Sequence, residues 1–147
     1  MNFVKDGLVV VPWDGSEDAK RSLEFAFNLT GDMARLRVFQ VLDPPMRIYG
    51  EYLWPPEGPE AVLKEAEQEF REQLDDPFKS VELQLKFGDP KYLIVAYAKE
   101  IDASLVVIAT HGRSGLRHLM LGSVAERVVR LAHCPVLVLR SIDSKQE

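Results

Sequence analysis

Short apolar runs alternate along this chain with stretches whose apolar residues recur every three or four positions. Leu8-Val9-Val10-Val11 has the length of a strand and stops at the turn residues Pro12-Trp13-Asp14-Gly15-Ser16. Ser16 or Asp14 is placed to cap a helix with Ala19, Leu23, Ala26, Phe27 and Thr30 at helical spacing, and Gly31 to end it. Arg35 to Leu42 reads as a second strand, broken by Asp43-Pro44-Pro45. A second helix runs from about Glu60 to Leu74, with Val62, Leu63, Ala66, Phe70 and Leu74 on one face and acidic residues opposite. Val81, Leu83 and Leu85 alternate with Glu82, Gln84 and Lys86, the pattern of an edge strand with one wet face. Gly88-Asp89-Pro90 opens a third helix carrying Leu93, Ile94, Tyr97, Ala98 and Ile101, with the proline early, where its missing N–H is no loss. Ser104 to Ala109 reads as a strand that is continuously apolar from Leu105, as one buried on both faces would be. Beyond a glycine-containing segment, 110–122, a fourth helix runs from Ser123 to about Ala132, and Cys134-Pro135 leads into a last strand, Val136 to Arg140.

Five strands separated by four helices predict an α/β fold. Parallel strands need crossovers, and right-handed crossovers put helices on both faces of an open sheet. At 147 residues the whole chain, 1–147, is expected to form a single domain. Ligands of such sheets sit at the carboxyl ends of the strands where the winding direction reverses. That directs attention to three loops: Pro12 to Ser16, the segment after Leu42, and Thr110 to Ser123. The stretch from Pro44 to Pro59, with five prolines interleaved with Tyr49, Tyr52 and Trp54, is too long for a tight connection and reads as a surface loop, either a spacer or a lid or partner surface.

Composition narrows the class. With 46% hydrophobic and 28% charged residues the chain is that of a globular protein, which excludes disorder, collagen-like repeats and a disulfide scaffold. The longest apolar runs, such as Leu105 to Ala109, are far below the roughly 20 residues of a membrane span. Met1 to Val11 has no export signature, and the lone Cys134 has no intrachain partner, so a cytoplasmic, non-membrane protein is expected. The net charge of −5 is unevenly spread. Residues 1–109 hold 12 Lys and Arg against 20 Asp and Glu, whereas 110–140 hold Arg113, Arg117, Arg127, Arg130 and Arg140 against Glu126. An acidic chain with one short basic stretch is a poor partner for nucleic acid but could hold a small anion.

The basic stretch contains the candidate chemistry. Thr110-His111-Gly112-Arg113-Ser114-Gly115 follows a buried strand, and Gly122-Ser123 begins a helix. A glycine turn and a helix N-terminus both present unpaired N–H groups to an anion, although the same residues would also serve simply as a turn and a cap. Neither Gly-x-x-x-x-Gly-Lys-Ser/Thr nor Gly-x-Gly-x-x-Gly occurs, and Gly112-Arg113-Ser114-Gly115 is one residue short of the serine-hydrolase elbow Gly-x-Ser-x-Gly. His111, His118 and His133 lack metal-ligand spacing, so no metal site built from side chains is expected. No catalytic residue is assigned; Asp14 and Asp89 are the only candidates worth testing as a general base.

The combination of Val11-Pro12-Trp13-Asp14-Gly15-Ser16-Glu17, Gly88-Asp89-Pro90, Thr110 to Gly115, Leu121-Gly122-Ser123-Val124-Ala125-Glu126-Arg127-Val128 and Cys134-Pro135-Val136-Leu137-Val138 closely resembles the universal stress protein family over essentially the whole chain. The resemblance implies an open five-stranded parallel sheet of order 3-2-1-4-5, of the adenine nucleotide alpha hydrolase-like type, and a stress-response protein acting as a homodimer through its last strand. It also implies ATP, with Mg2+ carried, if at all, on the phosphates. ATP-binding members carry Gly-x-x-Gly, nine residues, then Gly-Ser/Thr. Here Gly112, Arg113 to Leu121 and Gly122-Ser123 match, while Ala109 replaces the first glycine.

By the same resemblance Pro12 and Asp14 would bound the adenosine, with Asp14 on a ribose hydroxyl or the adenine edge. The Val41 backbone would pair with adenine, Ile108 would pack on the nucleoside, and Gly112, Gly122, Ser123 and Val124 would hold the phosphates through N–H groups and the Ser123 hydroxyl. If residue 109 needs a positive φ, Ala109 costs about 1 kcal/mol against about 8 kcal/mol for a micromolar site, which weakens binding roughly tenfold without abolishing it. Two alternatives stay open: a dimeric interaction module of the same fold that binds no nucleotide, or a slow ATPase. Val136-Leu137-Val138-Leu139 is apolar on both faces, and at a sheet edge something must cover it, as a second copy would. Arg127, Arg130 and Arg140 lie beyond the loop and are available to the helix surface or the dimer edge.

Overall fold

The computed structural model describes residues 6–110 and 121–141. Within them the main elements are β1 (Val9–Trp13), α1 (Glu17–Thr30), β2 (Leu36–Leu42), α2 (Pro59–Glu72), β3 (Glu82–Phe87), α3 (Pro90–Glu100), β4 (Leu105–Ala109), α4 (Ser123–Leu131) and β5 (Val136–Leu139). The five strands pair in parallel in the order β3-β2-β1-β4-β5, which is the expected 3-2-1-4-5. His111, Gly112, Arg113, Arg117 and His118 lie outside the described residues.

Local chemistry sets the ends of the elements. The Ser16 hydroxyl accepts from the Ala19 N–H at 3.1 Å, and Glu17 and Asp18 place negative charge at the positive end of α1. Gly31, at φ 66°, closes α1 by donating its N–H to Phe27 at 2.7 Å. Asp89 caps α3 by accepting from Lys91 N–H at 3.0 Å, and Pro90 occupies the first helical position. Several expected boundaries shift. β1 runs on through Pro12 and Trp13, which pair with Phe39 and Gln40 instead of stopping the strand, and α2 ends at Glu72, short of Leu74. β2 begins at Leu36 because Met33–Arg35 form a 3-10 turn capped by Asp32. β3 begins at Glu82 after a similar turn over Phe78–Ser80, with Val81 fully buried at its entrance. β5 ends at Leu139, one residue short of Arg140, whose carbonyl accepts from the Arg21 guanidinium instead of a strand.

Strand alternation divides the core into two layers. Val9, Val11 and Trp13 of β1 join Leu36 and Val38 under α1 and α2, where Trp13 meets Phe70 edge-on at 4.9 Å. Val10, Phe39, Val106 and Ile108 face the other way, under Ile94, Tyr97 and Ala98 of α3 and Ala125 and Val128 of α4. Leu105 and Val107 enter one layer and Val106 and Ile108 the other, which is why β4 reads as an unbroken apolar run. At the opposite edge, Glu82 and Gln84 of β3 are exposed.

The proline-rich connection between β2 and α2 holds a hairpin that the pattern did not reveal. Arg47 and Ile48 pair with Tyr52 and Glu51 around a turn in which Tyr49 (φ 51°) and Gly50 (φ 87°) both take positive φ. Two-residue strands are too short to show alternation. Trp54 packs edge-on against Phe87 at the end of β3, 4.9 Å between centroids, and moors the segment. Among the described residues no helix is long and apolar enough to cross a membrane.

Candidate functional site

β1 pairs with β2 along its whole length, but with β4 only at Val9–Leu105 and Val10–Val106. Beyond those pairs the two strands part, and β1 is also where the winding reverses, with β2 and β3 on one side and β4 and β5 on the other. Parted strand ends at a reversal leave a crevice. Here it is a cleft of about 300 Å³.

Of the nine residues expected at a nucleotide site, eight line this cleft: Pro12 and Asp14 after β1, Val41 on β2, Ile108 and Ala109 on β4, and Gly122, Ser123 and Val124 at the start of α4. The ninth, Gly112, lies outside the described residues. β1 ends opposite Gln40, so Val41 has no β1 neighbour although it still pairs with Lys86 on β3. Asp14 does not cap α1: its Oδ1 accepts from the Ser16 N–H at 3.0 Å while Ser16 does the capping, which orients the carboxyl at the cleft. Asp14 is the only charged side chain among the described residues of the lining. The floor is apolar, with Phe39 stacked on Tyr97 at 4.3 Å. Burial pushes the Tyr97 phenol above its ordinary range.

At the α4 end two expectations change. Ser123 is not the cap of α4: Gly122, at φ −59° and ψ 156°, holds that position and Ser123 is the first helical residue. The Gly122 N–H, expected on a phosphate, donates instead to the Thr110 carbonyl at 2.6 Å. What remains for a ligand are the N–H groups of Ser123, Val124 and Ala125 and the Ser123 hydroxyl, none of which has a partner among the described residues. Ala109 also differs from expectation. It is a strand residue paired with Leu139, and Tyr49 and Asp102 are the only non-glycine described residues at positive φ. The condition for a backbone penalty, a positive φ at residue 109, is therefore not met, and a methyl group on the cleft wall distinguishes Ala109 from glycine.

Sequence reasoning missed Phe39, Pro90 and Ile94, and reached Trp13 and Thr110 only as members of the indicated loops, without a role; all five line the cleft. Pro90 and Ile94 stand one turn apart at the start of a helix that follows a strand end, a spacing that could have flagged them. Asp89, a candidate base, is absent from the lining and serves as the α3 cap. Arg127 and Arg130 serve the helix surface: the first stacks its guanidinium over Tyr92 at 4.7 Å and the second pairs with Glu126 at 2.7 Å. Cys134 packs half-buried against the α3/α4 layer, and burial raises its thiol above the usual range. Among the described residues no group of three or more His, Cys, Asp or Glu could hold a metal ion.

Residues 8–140 match the model of the Universal stress protein family. A universal stress protein of Methanocaldococcus jannaschii is 33% identical over 139 residues, covering 90% of this chain and 81% of its own. Among solved structures, the universal stress protein UspA from Lactobacillus plantarum superposes with a TM-score of 0.68 at 22% identity, over 94% of this chain and 98% of that one, and bears on the fold alone. A universal stress protein solved in complex with cAMP reaches 0.56 at 25% identity, over 91% and 96%.

Proposed function

We propose that this chain, which belongs to the universal stress protein family, binds an adenine nucleotide in the cleft between β1 and β4 and signals its occupancy to partners as a homodimer. The observation that carries the reading is the convergence of Asp14, the Val41 edge, Ile108 and the open N-terminus of α4 on one cleft. In this reading adenine lies over Ile108 with its edge toward Val41, a ribose hydroxyl donates to the free oxygen of Asp14, and phosphates accept from Ser123, Val124 and Ala125. A helix N-terminus favours negative charge, and these donors need no rearrangement to meet it. Mg2+ would come on the phosphates, without side-chain ligands from the described wall. The cAMP complex of a relative supports an adenine-containing ligand. The reading is supported further by the extended backbone of Ala109, which carries no positive-φ strain.

A second copy against β5 supplies the dimer. All four residues of β5 are half-buried, its outer edge pairs with no described strand, and α4, packed beside it, exposes Val129 and Leu131 at 45% and 46%.

Mass spectrometry of protein purified without added nucleotide, followed by calorimetric titration, tests the ligand. Co-purifying adenine nucleotide, or heat on adding ATP at micromolar to low millimolar concentration, is expected. No bound nucleotide and no heat at millimolar ATP would leave the interaction module as the better account, and steady phosphate release over hours would make the chain a slow ATPase.

A further inference from the structure

Thr110, at the exit of β4, is gripped through its backbone and its side chain. Its N–H donates to the Leu139 carbonyl at 2.8 Å and its carbonyl accepts from Gly122 at 2.6 Å, so the strand end and the start of α4 meet at this residue. Its hydroxyl accepts from the Ser141 N–H at 3.1 Å and lies 3.2 Å from Ser141 Oγ. Ser141 Oγ is 2.5 Å from Asp18 Oδ2, on the first turn of α1. Asp18 Oδ1 holds Arg21 at 3.0 Å, and Arg21 donates in turn to the Arg140 carbonyl.

The protons in this chain have one consistent arrangement. A hydroxyl has a single proton, and Ser141 gives its proton to the Asp18 carboxyl. The contact between the two hydroxyls must then be Thr110 donating to Ser141. Thr110 therefore has no proton left for a ligand, and its hydroxyl is a tether, although the residue lines the cleft. The tether ends on α1, whose first turn also carries the Ser16 cap beside Asp14. Its other elements are the exit of β5 and, through Gly122, the N-terminus of α4.

We infer that Asp18 and Ser141 are positioning residues for the phosphate end of the cleft, acting through Thr110 on the helix N-terminus that would receive the phosphates; this rests on the nucleotide reading above. The base would contact β2 and β4, which the sheet holds, and the ribose would contact Asp14, whose carboxyl is oriented by the Ser16 N–H and makes no bond to the tether. The phosphates would contact N–H groups at the first turn of α4, which the Thr110–Gly122 bond ties to the strand end while Ala125 and Val128 hold the body of the helix on the sheet. Loosening the tether therefore weakens polyphosphate binding and spares the nucleoside.

The test is calorimetric titration of the full chain with ATP and, separately, with adenosine, for the wild type, Ser141→Ala, Asp18→Ala, the double variant and the conservative Ser141→Thr, with Asp18→Asn as a milder second variant. For Ser141→Ala and Asp18→Ala the ATP Kd is expected to rise about fivefold, the size of one lost hydrogen bond, while the adenosine Kd changes less than about twofold. The double variant is expected to match the worse single variant rather than the product of the two, and Ser141→Thr to bind as the wild type. Equal weakening for both ligands would reduce the network to a structural brace, and unchanged ATP binding in both alanine variants would overturn the inference alone. A wild type that binds neither ligand would overturn the nucleotide reading, and the inference with it.

Discussion

Ser123 brings two donors to the cleft, its N–H and its hydroxyl, and neither has a partner among the described residues. Its removal is therefore expected to be felt by a phosphate. Ser123→Ala should raise the ATP Kd about fivefold and leave adenosine nearly unaffected, in the same calorimetric titration, because only the phosphate end loses a hydrogen bond. Ala109 makes the opposite case. Its backbone is extended and paired with Leu139, so Ala109→Gly relieves no φ strain, and a change in ATP Kd of less than about threefold is expected. A gain of tenfold or more would mean that the methyl stands where a phosphate or ribose oxygen should be. The motif made residue 109 a point of doubt, and backbone geometry, which a motif does not contain, removes most of it.

Among the elements, α1 was the most legible. Ser16, the helical recurrence of Ala19, Leu23 and Ala26, and Gly31 mark its start, its buried face and its end, and each acts through contacts a few residues away. Gly31 sits at φ 66° with nothing within 4 Å of where a Cβ would stand, so Gly31→Ala introduces backbone strain without a clash. Calorimetric unfolding should show a loss of about 1 kcal/mol, or roughly 2–4 °C in a domain of this size. A drop beyond about 10 °C would require a second cause. The hairpin over Arg47 to Tyr52 was the least legible element, since its strands are two residues long and its Tyr49-Gly50 turn is hidden among prolines. Its Trp54 mooring joins residues far apart in the chain, and no local pattern reports that.

For the whole molecule, the uneven charge takes on a more particular meaning. The basic segment is partly used in packing, with Arg127 on Tyr92 and Arg130 on Glu126, so the described wall of the cleft offers a phosphate backbone N–H groups and a hydroxyl instead of guanidinium groups. Binding that depends on fixed dipoles inside a cleft is less sensitive to salt than binding by exposed cations. The edge formed by β5 belongs to the same scale. Sedimentation velocity at micromolar concentration is expected to give a species of two chains, since an apolar edge strand is a template for a second copy. A single-chain species under those conditions would remove the dimer from the proposal and leave the cleft untouched.

By itself the amino-acid sequence determined the alternation of five strands and four helices and the exposed edge at β3, because these follow from side-chain periodicity, and its motifs pointed to the family; it narrowed the cap of α1 to Ser16 or Asp14 without choosing between them. The resemblance also named eight residues that the fold brings to one cleft. Only the tertiary structure decided how those residues are used. Gly122 gives its N–H to Thr110, Ser123 is the first residue of its helix and not its cap, Asp14 is oriented by the backbone of Ser16, and Thr110 is tied to Asp18 through Ser141. Asp18 and Ser141 are separated by most of the chain and meet because β5 lies in the sheet next to β4, with α1 packed above, and such a meeting has no periodicity to announce it.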